Sequence, residues 1–193
     1  MSPYIAEFWN TLSSLPIIAA GVFGVFIALR ERYRKRFLIP ALALTVVGVG
    51  STAFHATLSY WGQALDELTM VYAALACVYI GFELDPRAVR RPWLAAALSA
   101  WAAAFTGAYF WLRDSSYFLF FVAVFAALST HCSWKALQLH WRTTDPDLRA
   151  LFVRGQFLWA FSFLALWLPD KLACAAVQQL HLHAICASGL FFF

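Results

Sequence analysis

Charge is what this chain has least of. Lys, Arg, Asp and Glu make up 12% of its 193 residues, about half their share in a soluble domain. With 63% apolar residues and a mean hydropathy of +0.69, that scarcity excludes an ordinary water-soluble domain and points to an integral membrane protein. Cysteine is sparse too. Cys77, Cys132, Cys174 and Cys186 form no CxxC pair, which excludes a zinc-finger or disulfide framework and leaves four small apolar residues. Strict apolar–polar alternation is missing, and the apolar runs are about twice the length of a barrel strand, so a β-barrel is excluded. Met1-Ser2-Pro3 lacks a basic leader and Glu7 interrupts the first apolar run, so no cleavable signal peptide is expected. The net charge of +4 comes from basic residues between apolar runs, and no nucleic-acid partner is expected.

What is present is a succession of apolar stretches, each near the ~20 residues that span a bilayer. They fall at about Phe8–Leu29, Phe37–Thr57, Ala64–Phe82, Pro92–Leu112, Tyr117–Leu137, Leu151–Leu168 and Gln178–Phe193. The expected fold is therefore all-α: one domain over 1–193, a polytopic membrane bundle of seven transmembrane helices, the last one short. Membrane lipids are its surroundings. Twelve of the fourteen basic residues lie in or beside the loops after helices 1, 3 and 5, and only Arg113 and Lys171 lie on the other side. The positive-inside rule then makes those loops cytoplasmic and the N-terminus lumenal or extracellular.

Against this apolar background one stretch stands out: GVGSTAFHATLSYWGQALD, residues 48–66, followed by Glu67. Ser51 and His55 are four residues apart and share one helix face. Asp66 follows after the polar break 59–63, at the start of the next apolar run. A hydroxyl, an imidazole and a carboxylate thus meet at the non-cytoplasmic end of a helical hairpin. His181 and His183, at the start of the seventh run, lie at the same depth. Ionisable groups within membrane segments are functional candidates because leaving them unpartnered there is costly. Imidazole is the commonest zinc ligand, and a catalytic zinc usually takes three protein ligands and a water. Asp66 could shuttle the proton as general acid–base, and Ser51 could donate a hydrogen bond to an oxyanion. The plainer alternative is a Ser–His–Asp network that only ties helices together. His131 and His140 sit toward the cytoplasmic side, at the wrong depth to join, and are expected to be buried or interfacial. Gly48 and Gly50 are expected to allow close helix packing.

The run YIAEFWNTLSSLP (residues 4–16), then ALTVVGVGSTAFHATL, LDEL and MVY, together with WLPDKLAC (residues 167–174), resembles the alkaline ceramidases. These belong to a wider group of seven-helix membrane hydrolases. The resemblance covers residues 4 to about 189, with both ends expected to be shortened against the family. It implies a zinc-dependent intramembrane amidase that hydrolyses ceramide to a sphingoid base and a fatty acid, in the endoplasmic reticulum or Golgi membrane with a lumenal N-terminus. By position, Ser51 matches the family's active-site serine, Asp66 its catalytic aspartate, His55 its first zinc ligand, and Glu7 a carboxylate that helps bind calcium. The remaining zinc ligands of the family are a His-x-x-x-His pair on helix 7. Here the stretch reads QQLHLHAICASG: His181 fills the first position, Ile185 stands in the second, and His183, two residues on, points to roughly the opposite side of a helix. That departure motivates an alternative, a family member or fragment that retains only the helical scaffold.

Overall fold

A computed structural model describes residues 5–33, 35–83, 92–112, 116–161 and 164. Six helices follow one another: α1 (Phe8–Arg30), α2 (Lys35–Thr57), α3 (Tyr60–Glu83), α4 (Pro92–Trp111), α5 (Ser116–Arg142) and α6 (Pro146–Phe161). Among the described residues there is no strand. Five of the helices, α1 to α5, are long and apolar enough to cross a membrane. The all-α bundle is thus observed, with five helices suited to a membrane. The stretch expected to form a seventh helix, with His181, His183 and Ile185, lies outside the described residues, which hold six helices.

Three boundaries differ from the expected ones, two of them for a local reason. The polar stretch 60–63 is the first turn of α3 and not a loop. Ser59 caps it: its Oγ accepts from Gly62 N at 3.1 Å, and its carbonyl accepts from Gln63 N at 2.9 Å. Such capping supplies the partners that the first helical N–H groups lack. The hairpin between α2 and α3 therefore contains only Leu58 and Ser59, with Leu58 in the left-handed region at φ 49°. α5 runs to Arg142, beyond the expected Leu137. α6 starts at Pro146, ahead of the expected Leu151, because Asp145 Oδ1 accepts from Asp147 N at 2.9 Å and Pro146 suits a first helical position.

Small residues set the approach of the first three helices. A Cβ on Gly48 would meet Ile18 N at 2.8 Å, and one on Gly21 would collide with Thr45. α1 and α2 therefore touch backbone to backbone. α3 packs against α2 on one side and against α4 and α5 on the other. On the second side, Ala64, Leu68, Val71 and Leu75 of α3 form a buried cluster with Phe105 and Tyr109 of α4 and Phe121 of α5. The i, i+4, i+7, i+11 spacing of those α3 residues explains why one face carries the cluster. Phe23, Phe26 and Leu29 of α1, Leu119 of α5 and Phe157 of α6 face outward, an apolar exterior suited to lipid chains.

Candidate functional site

The site is assembled at the end of the bundle where α1 begins, α2 ends and α3 begins. The chain entering α1 is tied directly to the end of α2. Ala6 N donates to Ala56 O at 3.1 Å, and Glu7 N donates to His55 O at 2.9 Å. These bonds satisfy carbonyls that a helix C-terminus otherwise leaves without partners. They also set the Glu7 side chain beside that of His55. Glu7 Oε2 lies 2.5 Å from His55 Nδ1 and accepts from Asn10 Nδ2 at 2.8 Å. An ionised carboxylate can only accept, so in that state Nδ1 carries the proton and Nε2 is left to bind a metal.

From Asn10 the polar chain continues along α1. Ser14 Oγ lies 2.9 Å from the Asn10 carbonyl oxygen and 3.2 Å from Ser51 Oγ. Ser51 in turn lies beside Asp66, near enough for the two side chains to interact. Gly50 makes that last contact possible. A Cβ there would sit 2.9 Å from Leu65 O and 3.1 Å from Asp66 N, so only glycine lets α2 lie against the α3 backbone at this level.

Of the residues singled out in the sequence, Ser51 and Asp66 thus come together, His55 and Glu7 come together, and α1 links the two pairs. His181 and His183 fall outside the described residues. His131 stacks on Phe82, 6.0 Å between ring centres, with Nε2 buried and without a hydrogen-bond partner among the described residues. His140 Nδ1 lies 3.3 Å from Arg149 O. Neither joins the site. Two contributors were not foreseen: Asn10 and Ser14. Their signal was available, since residues 7, 10 and 14 recur at helical spacing on one face of α1. A third is Glu67, whose carboxylate faces away from Asp66 into α4.

No three His, Cys, Asp or Glu side chains cluster closely enough to hold a metal among the described residues. The donors that are present suit one side of a zinc site. A histidine whose second nitrogen hydrogen-bonds a carboxylate is the arrangement that orients metal-ligating imidazoles, and His55 with Glu7 has it. Glu7 Oε2, the oxygen of the carboxylate that the resemblance assigns to calcium, is here engaged by two nitrogen donors.

A bundle of apolar helices with hydroxyl, imidazole and carboxylate groups gathered at one end defines a membrane protein with a polar intramembrane site. The profile of the ceramidase family matches residues 1–192, and the chain belongs to that family. It is 50% identical over 80 residues to alkaline ceramidase 3 of Mus musculus, an alignment covering 42% of this chain and 30% of the mouse protein. It is 42% identical over 84 residues to an alkaline ceramidase of Arabidopsis thaliana, covering 44% of this chain and 33% of that protein. A longer alignment, 28% identical over 205 residues, spans 95% of the chain and 71% of alkaline ceramidase 1 of Homo sapiens. The chain thus spans about a third of the length of the mouse and Arabidopsis relatives.

Proposed function

We propose that this protein hydrolyses the amide bond of ceramide, releasing a sphingoid base and a fatty acid, with zinc as its cofactor. The observation that carries the reading is the polar path at one end of an apolar bundle, where hydrogen bonds link His55, Glu7, Asn10, Ser14 and Ser51 in turn and Asp66 lies beside Ser51. A lipid substrate fits this setting because its chains can lie among the helices while its polar amide reaches the site.

In this reading His55 Nε2, with His181, would hold the zinc ion, and His183 is the less suited second histidine because of its spacing. What zinc brings when bound is a water acidified toward neutrality and a polarised carbonyl. The chain's own residues do the rest. Glu7 keeps the His55 proton on Nδ1. Asp66 takes a proton from the attacking water and delivers it to the amide nitrogen as the C–N bond breaks. Ser51, steadied by Ser14, donates a hydrogen bond to the carbonyl oxygen as negative charge develops there. A calcium ion at Glu7 belongs to the same reading as a second, optional metal. It would take six to eight oxygen ligands, most of them from outside the pairings that engage Glu7. The site lies on the lumenal side of an endoplasmic reticulum or Golgi membrane, following the basic loops at the opposite end.

The test is zinc content of the detergent-purified protein alongside release of fatty acid from ceramide, for wild type, His55→Ala and Asp66→Asn. We expect one zinc per chain, lost in His55→Ala and kept in Asp66→Asn, and hydrolysis lost in both. A folded wild-type chain with neither zinc nor hydrolysis would leave only the helical scaffold of the family. Hydrolysis that persists in Asp66→Asn would remove the aspartate from the mechanism.

A further inference from the structure

Asp66 is followed by a second carboxylate that the proposed chemistry does not use. Glu67 is 6% exposed, and both its oxygens are occupied. Oε1 accepts from Gln63 Nε2 at 2.9 Å, and Oε2 accepts from Tyr109 Oη of α4 at 2.7 Å. Gln63 Nε2 also donates to Tyr117 Oη of α5 at 2.6 Å. Among the described residues no cationic side chain pairs with Glu67. Tyr109 is 1% exposed and wedged among Phe105, Phe110 and Tyr117. Glu67 therefore stands inside the apolar face of α3, between Ala64, Leu68 and Val71.

A leucine would fill that place more simply. A buried carboxylate contributes little to stability over an apolar side chain of similar size, and its best-attested use is to specify one arrangement over others. We propose that Glu67, held by Gln63, Tyr109 and Tyr117, is a positioning residue that fixes the rotation of α3 and so aims Asp66 at Ser51. This inference rests on the proposed role of Asp66. Neighbouring residues on a helix point about 100° apart, so Glu67 faces α4 while Asp66 faces α2. The rotation that satisfies one carboxylate also sets the other. A carboxyl group roughly 6 Å from the helix axis moves about 1 Å for each 10° of rotation. A misplacement of that size at a reacting centre lowers rate on the order of 100-fold. Two hydroxyls from two other helices, bonding to a carboxylate and to the amide one turn before it, limit that rotation more sharply than apolar packing does. Apolar contacts lack direction, whereas hydrogen bonds weaken steeply off axis.

The variants are Glu67→Leu, Tyr109→Phe and Glu67→Gln, in the full chain reconstituted in nanodiscs. The first removes both bonds, the second one of them. The third keeps a carbonyl oxygen for Tyr109 and an amide that Gln63 can pair with by flipping. With ceramide as substrate, Glu67→Leu is expected to lower kcat between about 10- and 100-fold and leave KM within about two-fold. Glu67→Gln is expected to recover most of the loss, and Tyr109→Phe to fall between them. A second readout is independent of catalysis. In a Ser51→Cys/Asp66→Cys chain, oxidative cross-linking between positions 51 and 66 is expected to slow several-fold on adding Glu67→Leu and to be unchanged by Glu67→Gln. Cross-linking that is unaffected by Glu67→Leu, or a Glu67→Gln chain as impaired as Glu67→Leu, overturns the inference. If Asp66→Asn proves active while cross-linking still depends on Glu67, the positioning stands and the catalytic role of Asp66 fails.

Discussion

Replacing Gly50 with alanine tests how closely Asp66 must approach Ser51 without altering either. The new Cβ would lie 2.9 Å from the Leu65 carbonyl oxygen, 3.0 Å from its carbon and 3.1 Å from Asp66 N. These are backbone atoms, so none can turn aside, and ordinary contact begins at 3.4 Å. The two helices must separate by about 0.5 Å at this level to restore contact distances. Overpacking of this kind costs roughly 1–3 kcal/mol, while exchanging glycine for alanine inside a helix returns about 1 kcal/mol. The net loss of stability is therefore roughly 0–2 kcal/mol, and the protein should remain folded. Activity is the more sensitive quantity. If about 1 Å of misplacement costs on the order of 100-fold in rate, half that shift costs about ten-fold. The assay is fatty-acid release from ceramide in nanodiscs, paired with a thermal melt of the same sample. Gly107→Ala is the control. Nothing lies within 4 Å of a Cβ there, so it should gain up to about 1 kcal/mol and keep its rate. A Gly50→Ala protein with wild-type kcat would refute the reasoning, because the close approach of α2 and α3 would then be irrelevant to the site.

Three further outcomes follow from the same geometry. Glu7→Gln removes the carboxylate behind His55, and zinc affinity measured by chelator competition should fall roughly 10–100-fold; an unchanged affinity would detach Glu7 from the metal. Ser14→Ala removes the 3.2 Å contact with Ser51, a bond of about 0.5–1.5 kcal/mol, so kcat should drop roughly two- to ten-fold with the melting temperature little altered. Leu58→Gly relieves the left-handed backbone of the α2–α3 turn, where φ is 49°. It should stabilise by up to about 1 kcal/mol and leave hydrolysis unchanged, and a lower melting temperature would count against strain at that turn.

Long apolar runs were enough to place five helices long and apolar enough to cross a membrane, because a span is a local property: about 20 apolar residues suffice whatever they later touch. Helix ends were less legible. The stretch 60–63 is polar and carries a glycine, which looks like a loop, yet Ser59 caps it into helix once α2 and α3 fold together. Ser51 and His55 could be placed on one face from their spacing, and Asp66 at the same depth from the order of spans. Their partners could not. That Glu7 meets His55, 48 residues away, follows from two backbone bonds between the α1 entry and the end of α2. Ser14 reaching Ser51, 37 residues on, depends on the close α1–α2 packing that Gly48 and Gly21 allow. Glu67 is the sharpest case. By sequence it is simply the neighbour of Asp66, and only the positions of Tyr109 and Tyr117 on two other helices make it a buried, fully bonded carboxylate. Period and composition act along the chain and can be read from it. Pairing depends on the rotation and separation of helices, which small residues and directional hydrogen bonds decide only when the bundle is assembled.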